Sequence, residues 1–356
     1  MLVDLSRKIL AALALGLLAA LPVARPAAAD GQQIRIKVIG GLADVSQYVR
    51  FEEPFWRDRI GQLTGGRVVA EIAPFDRSGI RGQEMLQLMR LGVVPFGTAI
   101  LSLAATEEPE FNAVDLSAVS PDMATLRRTV GAFRPHLEEV LRERYGIELL
   151  GVYTYPAQVV FCNRPFAGLA DLAGRRVRTS AVGQSEVVQA LGGTPVVTPF
   201  AQIVSAFRTG VVECAITGTL SGHAIGLYEV TTHVHAMALS WGLSIFGANG
   251  AAFAALPAEV QAQMRAGVRQ LEEAIWNAAD RETGEGLACN AGRPDCSLAR
   301  RGNMTIVPVS AADDERRRRL LTEVVLPRWV GRCGPDCAEA WNTRLAPLFG
   351  IRAEAD

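Results

Sequence analysis

Residues 175–217 read RRVRTSAVGQSEVVQALGGTPVVTPFAQIVSAFRTGVVECAIT, and they alternate between strand-like and helix-like segments. β-branched residues and bounding prolines mark the strands, whereas apolar residues at helical spacing and terminal glycines mark the helices. The strands are RRVRTS, TPVVTP and VVECAIT, and the helices between them are QSEVVQALGG and FAQIVSAFRTG. Because the connections are short, this order predicts a parallel sheet with right-handed crossovers.

The N-terminal half of the chain repeats this order. The strand-like segments are IRIKVIG, RVVAEIAP and VVPFGTA, and the helical segments between them are FEEPFWRDRIGQLTGG and GQEMLQLMRLG. The pattern Arg-x-Gly-Val-Val also follows an amphipathic helix in both halves, at residues 90–94 and 208–212. We therefore expect an α/β protein with two domains of similar topology.

A long helix is predicted after these two units. Pro257 suits a first helical turn, and apolar residues follow it at helical spacing from Val260 to Ala278. A helix of more than about twenty residues would be roughly 30 Å long, which is enough to lie across both domains. The cysteine-bearing tail that follows is expected to pack as an appendage.

The N-terminus has the features of a secretory signal. Arg7 and Lys8 precede a single apolar run of about 15 residues, and small residues follow at Ala27–Ala29. A retained membrane anchor is the alternative, but the run is short for a bilayer span and Pro22 interrupts its end. We expect cleavage after Ala29, removal of residues 1–29 and export of the rest to the periplasm.

Composition and motifs argue against several functional classes. The 356-residue chain has a formal net charge of −1, which gives no reason to expect a nucleic acid partner. The sequence contains neither Gly-x-Ser-x-Gly nor His-Glu-x-x-His, so an exported hydrolase is disfavoured and no enzymatic activity is predicted. His233 and His235 would share a strand face but lack a third ligand, and no metal or other cofactor is predicted.

Six cysteines in an exported protein indicate disulfides before metal ligands. Cys289 and Cys296 enclose NAGRPD, Cys333 and Cys337 enclose GPD, and both loops contain the Gly and Pro of a tight turn. We favour two local disulfides over a four-cysteine zinc site, because a six-residue gap is wider than the usual ligand spacing. Cys162 and Cys214 lie in strand-like runs, either paired across adjacent strands or as buried thiols.

Candidate ligand contacts follow from the strand ends. In open parallel sheets, ligands bind beyond the carboxyl ends of the strands, and here those ends carry Arg178 with Thr179, Phe200, and Thr217. A guanidinium at that edge can hold a carboxylate by two charge-assisted hydrogen bonds. Arg178 is therefore the predicted anion contact, whereas Arg175 and Arg176 are expected on the surface.

The segment NRPFAGLADLAGRRVRTS, followed by ALGGTPVVTPFAQIVSAFRTGVVECAITGTLSG and LYEV, resembles the periplasmic solute-binding proteins of TRAP transporters, in particular the dicarboxylate-binding class. The shared features are Asp-Leu-x-Gly-x-x-x-Arg, the turn LGG-x-P, a following PF, and a helix that ends in TGVV and an acidic residue. The resemblance covers essentially the whole chain after residue 29 and is most specific between about 160 and 235.

The resemblance implies two α/β domains that close over an organic acid in the cleft between them. Arg178 would hold the ligand carboxylate, Phe200 would form an aromatic wall, and Thr217 would take the place of a polar residue after the last strand. Gln158 stands where sialic-acid-type members have a second arginine, and Glu213-Cys214 replaces the usual Asp-Gly. These departures favour neither a sialic acid nor a simple dicarboxylate.

The resemblance also assigns domains and partners. Domain I would comprise residues 30–155 and about 241–282, and domain II residues 156–240 and about 283–350 with the disulfide-bearing tail. Thr98, Ser102 and Trp241 are the expected wall residues from domain I and the hinge. The expected partners are a small organic acid and the membrane permease of a TRAP transporter, with the receptor itself a monomer; supply to an ABC transporter or a sensor is the alternative.

Overall fold

The computed structural model describes residues 33–354, so the predicted signal at residues 1–29 lies outside the described residues. The strands are β1 Ile34–Gly40, β2 Val68–Pro74, β3 Phe96–Ile100, β4 Ile147–Tyr153, β5 Gln158–Cys162, β6 Arg176–Thr179, β7 Thr194–Val197, β8 Cys214–Gly218, β9 His233–His235, β10 Ser244–Asn249 and β11 Thr305–Val307. They form two sheets, as the repeated strand and helix order predicts.

Helices surround both sheets. They are α1 Ile60–Leu63, α2 Met85–Arg90, α3 Leu101–Ala104, α4 Met123–Tyr145, α5 Val182–Ala190, α6 Ile203–Arg208, α7 Thr219–Ala224, α8 Gly250–Ala254, α9 Ala258–Asn290, α10 Ala311–Arg319, α11 Leu326–Cys333, α12 Pro335–Arg344 and α13 Ala346–Phe349. π-helical turns occupy Gln47–Glu52, Phe55–Arg59 and Leu320–Val325, and shorter 3-10 turns join several of the elements. Within the described residues, no helix is long and apolar enough to cross a membrane.

The first sheet has the strand order β2-β1-β3-β10-β4. Strands β1, β2 and β3 are parallel, in agreement with the prediction for the N-terminal half. Strand β10, which comes almost 150 residues later in the chain, inserts antiparallel between β3 and β4. The first sheet is therefore mixed rather than wholly parallel.

The second sheet has the order β11-β9-β5-β8-β6-β7. Its parallel core of β6, β7 and β8 is the stretch that the sequence predicted. Strand β5, which precedes the predicted stretch, runs antiparallel to β8 and β9, so this sheet is also mixed. The antiparallel strands are β10 in the first sheet and β5 in the second. Each comes directly after a segment by which the chain crosses from the other sheet.

Helix α9 contacts elements of both sheets. Its apolar face, from Val260 to Ile275, packs with Trp56 and Phe246 in the core beside the first sheet. Near its C-terminal end it packs against α7, which follows strand β8. At Gly286 an added Cβ would lie 2.3 Å from the backbone nitrogen of Leu220, so only glycine permits this approach. The predicted long helix is thus confirmed.

The C-terminal tail is part of the main core, which corrects its description as an appendage. Trp329 and Trp341 are almost completely buried in the largest hydrophobic cluster. The Trp329 indole donates a hydrogen bond to the Pro109 carbonyl at 2.7 Å, and the π-helical turn Leu320–Val325 packs against α5. Helix α5 connects strands β6 and β7 of the second sheet, and Pro109 lies in the chain after strand β3 of the first sheet. The tail therefore contacts segments that accompany both sheets.

All six cysteines form disulfides in the structure. The two local pairs are Cys289–Cys296 and Cys333–Cys337. Cys162 and Cys214, whose state the sequence left open, are directly opposite each other on the antiparallel strands β5 and β8 and are also bonded. Cys214, at a position where the resemblance implies glycine, therefore supplies one half of an inter-strand disulfide.

Candidate functional site

A cavity of about 600 Å³ lies at the edge where the two sheets face each other. From the first sheet it is lined by residues that directly follow β1, β2 and β3. From the second sheet it is lined by residues at the ends of β6, β7 and β8. The lining includes Leu42, Phe75, Asp76, Ile100 and Ser102 on the first side and Arg178, Val197, Phe200, Thr217 and Ser221 on the second. Its volume suits a small-molecule ligand.

Arg178 lies in the wall of this cavity and is only 3% exposed. Its Nε donates to the Thr198 carbonyl at 2.9 Å, and one terminal nitrogen donates to the Ile216 carbonyl at 2.8 Å. These bonds fix the guanidinium between strands β7 and β8. Burial lowers the pKa of Arg178 to about 9, so the side chain is still charged at neutral pH.

Within residues 33–354, the Arg178 charge has no carboxylate partner. Among the described residues, no Asp or Glu oxygen lies within ion-pair distance of it. An uncompensated buried charge is costly, and buried cations are normally paired. Since Arg178 lines a cavity of ligand size, an anion in the cavity would supply the missing partner. The strand-end prediction and the structure place Arg178 in the same location.

Gln158 and Thr217 come from strands β5 and β8 of the same sheet as Arg178. Strand pairing sets Gln158 opposite Gly218, and both Gln158 and Thr217 line the cavity. The Gln158 side-chain oxygen accepts a hydrogen bond from Gln184 Nε2 at 2.7 Å, and Gln184 also donates to the Ser240 hydroxyl. Gln158 is thus a neutral, hydrogen-bonded amide at the cavity.

Phe200 contributes an apolar wall. It begins the 3-10 turn Phe200–Gln202 directly after the extended segment Thr198-Pro199, and its ring is half-buried at the cavity. Pro199 fixes the backbone before the turn, which directs Phe200 out of the sheet plane. Val197, also in the lining, is 73% exposed, so this side of the cavity is open to solvent.

Thr179 does not line the cavity. Side chains alternate along a strand, so Thr179 points to the face of β6 opposite to Arg178. Its hydroxyl is within 2.8 Å of the Ser185 hydroxyl at the start of α5. Thr179, which the sequence predicted as a ligand contact together with Arg178, therefore lies outside the cavity lining.

Trp241 is likewise absent from the cavity wall. Its side chain is buried, and the indole donates to the Ser120 carbonyl at 2.9 Å. The neighbouring Gly242 lines the cavity instead, with φ of 79° in the region that favours glycine. An added Cβ there would meet Gln158 Nε2 at 2.3 Å. Trp241 thus anchors the crossing segment while Gly242 leaves room beside Gln158.

Asp115 holds this crossing segment in place. The carboxylate accepts hydrogen bonds from the backbone N–H groups of Trp241 and Gly242 at 2.9 and 2.6 Å. Burial raises the pKa of Asp115 to about 6, although these hydrogen bonds oppose the shift. The segment passes from β9 of the second sheet to β10 of the first, so Asp115 fixes a connection between the two sheets.

Of the two other wall residues expected from the first sheet, one lines the cavity. Ser102 is part of the lining, whereas Thr98 is buried behind it and donates its hydroxyl hydrogen to Glu52 at 3.0 Å. Glu52 is completely buried, and burial raises its pKa. Thr98 therefore supports a buried carboxyl group and does not reach the cavity.

Several lining residues were missed from the sequence, among them Asp76 and Tyr155. Asp76 is the second residue after strand β2, and Tyr155 is the second residue after β4. The strand-end rule that selected Arg178 applies equally to Asp76, because β2 is parallel to β1 and β3. Tyr155 had no such signal, since the chain direction of β4 relative to its neighbours depends on the later insertion of β10.

The remaining sequence candidates have structural roles. Arg176 is exposed and pairs with Glu213, and Arg175 donates to the Pro165 carbonyl at 2.7 Å and lies over the Phe166 ring. His235 is buried and contacts Asp313 at 3.3 Å. Within residues 33–354, no group of three or more His, Cys, Asp or Glu side chains is arranged to hold a metal ion.

Comparison with known proteins gives one family match. The family model for DctP, described as bacterial extracellular solute-binding protein, family 7, matches residues 48–288. The ectoine-binding periplasmic protein TeaA of Halomonas elongata is 26% identical over 110 residues, which cover 31% of this chain and 32% of that protein. The aligned stretch thus spans about a third of that relative's length.

Solved structures show the same fold. DctP7, an extracytoplasmic solute receptor of Bordetella pertussis that binds pyroglutamic acid, has a TM-score of 0.76 at 21% identity, covering 87% of this chain and 99% of that one. A TRAP periplasmic solute-binding protein from Desulfovibrio salexigens with bound orotic acid has a TM-score of 0.75 at 15% identity, covering 86% and 96%. The predicted two-domain α/β fold is confirmed.

Proposed function

The chain belongs to the DctP family of bacterial extracellular solute-binding proteins, family 7, and from this premise we propose that it captures a small organic acid by its carboxylate in the periplasm and delivers it to a TRAP-type permease. The resemblance drawn from the sequence is thereby confirmed at the level of the family. The receptor would perform no chemistry on its ligand, because capture and release need only binding and closure.

One observation carries the proposal. The Arg178 guanidinium is buried, charged, fixed by two backbone carbonyls and without a carboxylate partner among the described residues, and it lines a cavity of ligand size. A carboxylate that enters the cavity would receive charge-assisted hydrogen bonds and remove the cost of the unpaired charge. The organic acids bound by DctP7 and by the Desulfovibrio protein support this class of ligand.

Gln158, Phe200 and Thr217 complete the proposed binding wall. Phe200 would pack against the apolar part of the ligand, while the amide of Gln158 and the hydroxyl of Thr217 would contact its polar atoms. Because residues after β1, β2 and β3 form the opposite wall, a ligand would bridge both sheets. A ligand that contacts both walls would bind the closed state more tightly than the open state, and this difference in affinity would favour closure.

The proposal is tested by a thermal-shift screen of the mature receptor. Endogenous ligand is first removed by unfolding and refolding under non-reducing conditions, which keep the disulfides intact. We expect carboxylates to raise the melting temperature in a concentration-dependent way, with a stabilisation of about 2.7 kcal/mol at a hundredfold excess over Kd. Shifts from neutral sugars or amines alone, with none from carboxylates, would contradict the proposal.

A further inference from the structure

A buried glutamine lies directly behind the cavity wall. Gln184, in helix α5, is 2% exposed and does not line the cavity, but it forms hydrogen bonds with two residues that do. Its Oε1 accepts from the Ser180 backbone N–H at 2.9 Å and from the Ser180 hydroxyl at 3.1 Å. Its Nε2 donates to Gln158 Oε1 at 2.7 Å and to the Ser240 hydroxyl at 3.0 Å. All four hydrogen bonds that a glutamine amide can make are therefore used within the protein.

These partners fix the orientation of both amides. A backbone N–H can only donate, so the contact with the Ser180 N–H assigns Oε1 of Gln184 as the acceptor and Nε2 as the donor. An N–H that points at Gln158 requires an acceptor there, so the Gln158 side chain places Oε1 toward Gln184 and Nε2 away from it. The reverse orientation of Gln158 would set two N–H groups against each other and leave a Gln184 donor unpaired in the interior.

The Gln158 Nε2 is left at the cavity. Within residues 33–354 it has no hydrogen-bond acceptor, yet it is not enclosed by protein. An added Cβ at Gly242 would lie 2.3 Å from this nitrogen, and Gly242 and Gln158 both line the cavity. The Gln158 backbone is also held, because its N–H donates to the Ser240 carbonyl and its carbonyl accepts from the Leu239 N–H. Gln158 therefore offers the cavity N–H donors and no acceptor.

We propose that Gln184 is a positioning residue of the binding wall, which holds the Gln158 amide with its N–H groups directed into the cavity, so that Gln158 recognises a hydrogen-bond acceptor of the ligand. Gln184 itself does not contact the ligand, since it is outside the lining and has no free donor or acceptor. Without it, the Gln158 amide would be free to rotate and present its oxygen, which repels an acceptor. The role in recognition rests on the proposed function, whereas the orientation of the two amides does not.

The orientation is tested by nuclear magnetic resonance of the ligand-free wild-type receptor with isotope-labelled glutamine. The Gln184 side-chain amide is identified by its proximity to Ser240 protons, and the Gln158 amide by its proximity to Gly242 protons. We expect the Gln158 amide protons to exchange with water about tenfold or more faster than those of Gln184, because only the latter are hydrogen-bonded in the interior. Protected Gln158 amide protons would overturn the inference, and this result requires no variant to fold.

The positioning role is tested with Gln184→Met in the same experiment. The order parameter of the Gln158 side-chain amide should fall from about 0.85, the value of a rigid group, to below about 0.6. Gln189→Met is the matched control, because Gln189 is exposed on the same helix and outside the cavity lining. It should leave the Gln158 order parameter unchanged. A Gln158 amide that stays rigid in Gln184→Met would overturn the positioning role.

A double-mutant cycle tests the effect on binding. Calorimetry measures the affinities of pyroglutamate, orotate, malonate and the best acid of the thermal-shift screen, and the tightest of these is followed through Gln184→Met, Gln158→Met and the double variant. Each single variant should bind about threefold or more weakly, which is the range of one hydrogen bond. The double variant should bind within about twofold of Gln158→Met, because Gln184 acts only through Gln158. Losses that multiply would show an effect independent of Gln158 and overturn the inference.

The outcomes separate this inference from the proposed function. If the acids bind but the losses multiply, or if Gln158 stays rigid in Gln184→Met, the role of Gln184 is overturned while the carboxylate receptor stands. If no carboxylate binds, the proposed function is overturned and the recognition role of Gln158 falls with it. The exchange and order measurements need no ligand, so they still decide the orientation of the Gln158 amide.

Discussion

Replacing Arg178 by methionine should weaken carboxylate binding by about a hundredfold or more while the empty receptor keeps its fold. Two charge-assisted hydrogen bonds would be lost, and each contributes about 1.5–3 kcal/mol. Methionine is similar in length and apolar, so it fills the space in the wall. The measurement is calorimetric titration of the ligand-free variant with the best acid from the screen.

The stability of the empty Arg178→Met variant should change little, because two effects oppose each other. The carbonyls of Thr198 and Ile216 lose their donors, which is unfavourable, but the cost of a buried unpaired charge disappears. Arg176→Met is the control, since Arg176 is exposed and its partner Glu213 is also held by Arg164. Equal losses of affinity in both variants would refute the special role of Arg178.

Truncating Trp329 to alanine should destabilise the whole receptor by about 3–5 kcal/mol. The side chain is 1% exposed, donates to the Pro109 carbonyl and lies 6.0 Å from the Trp341 ring centre. Its loss leaves a cavity in the largest core cluster and an unpaired carbonyl. Urea unfolding followed by tryptophan fluorescence and circular dichroism would measure the change.

Leu348→Ala is the matched control for the tail, because Leu348 belongs to the same C-terminal segment but is 43% exposed. Its effect should stay within about 0.5 kcal/mol. If Trp329→Ala were equally mild, the tail would be an independent appendage, as the sequence first indicated, and its assignment to the common core would fail.

Local sequence patterns predicted the parallel parts of both sheets, because each strand and helix there carries its own periodicity and stop signal. The insertion of β10 between β3 and β4 had no such signal, since the pairing joins segments far apart in the chain. The burial of Trp329 and Trp341 was missed for the same reason. A tail rich in arginine gives no local indication that one face packs into a core.

The predicted site residues divide in the same way, between positions that follow a local pattern and positions that depend on contacts between distant segments. Arg178, Phe200 and Thr217 lie at ends of parallel strands, where a general rule applies, and they line the cavity. Thr179 lies outside the lining, because side chains alternate along a strand and only one of two neighbours can face the cavity. Trp241, which was predicted in the cavity wall, lies outside the lining. It belongs to the irregular segment that crosses between the sheets, where the contacts with Asp115 and Ser120 set the side-chain directions.

The most direct measurement compares one ligand with its own amide. The ligand-free wild-type receptor is titrated with the best carboxylic acid from the screen and with the corresponding primary carboxamide, which has nearly the same shape but no negative charge. If the cavity binds its ligand through the unpaired guanidinium of Arg178, the acid should bind about a hundredfold or more tightly than the amide. Equal affinities would contradict the account, because the Arg178 charge would then have no role in recognition.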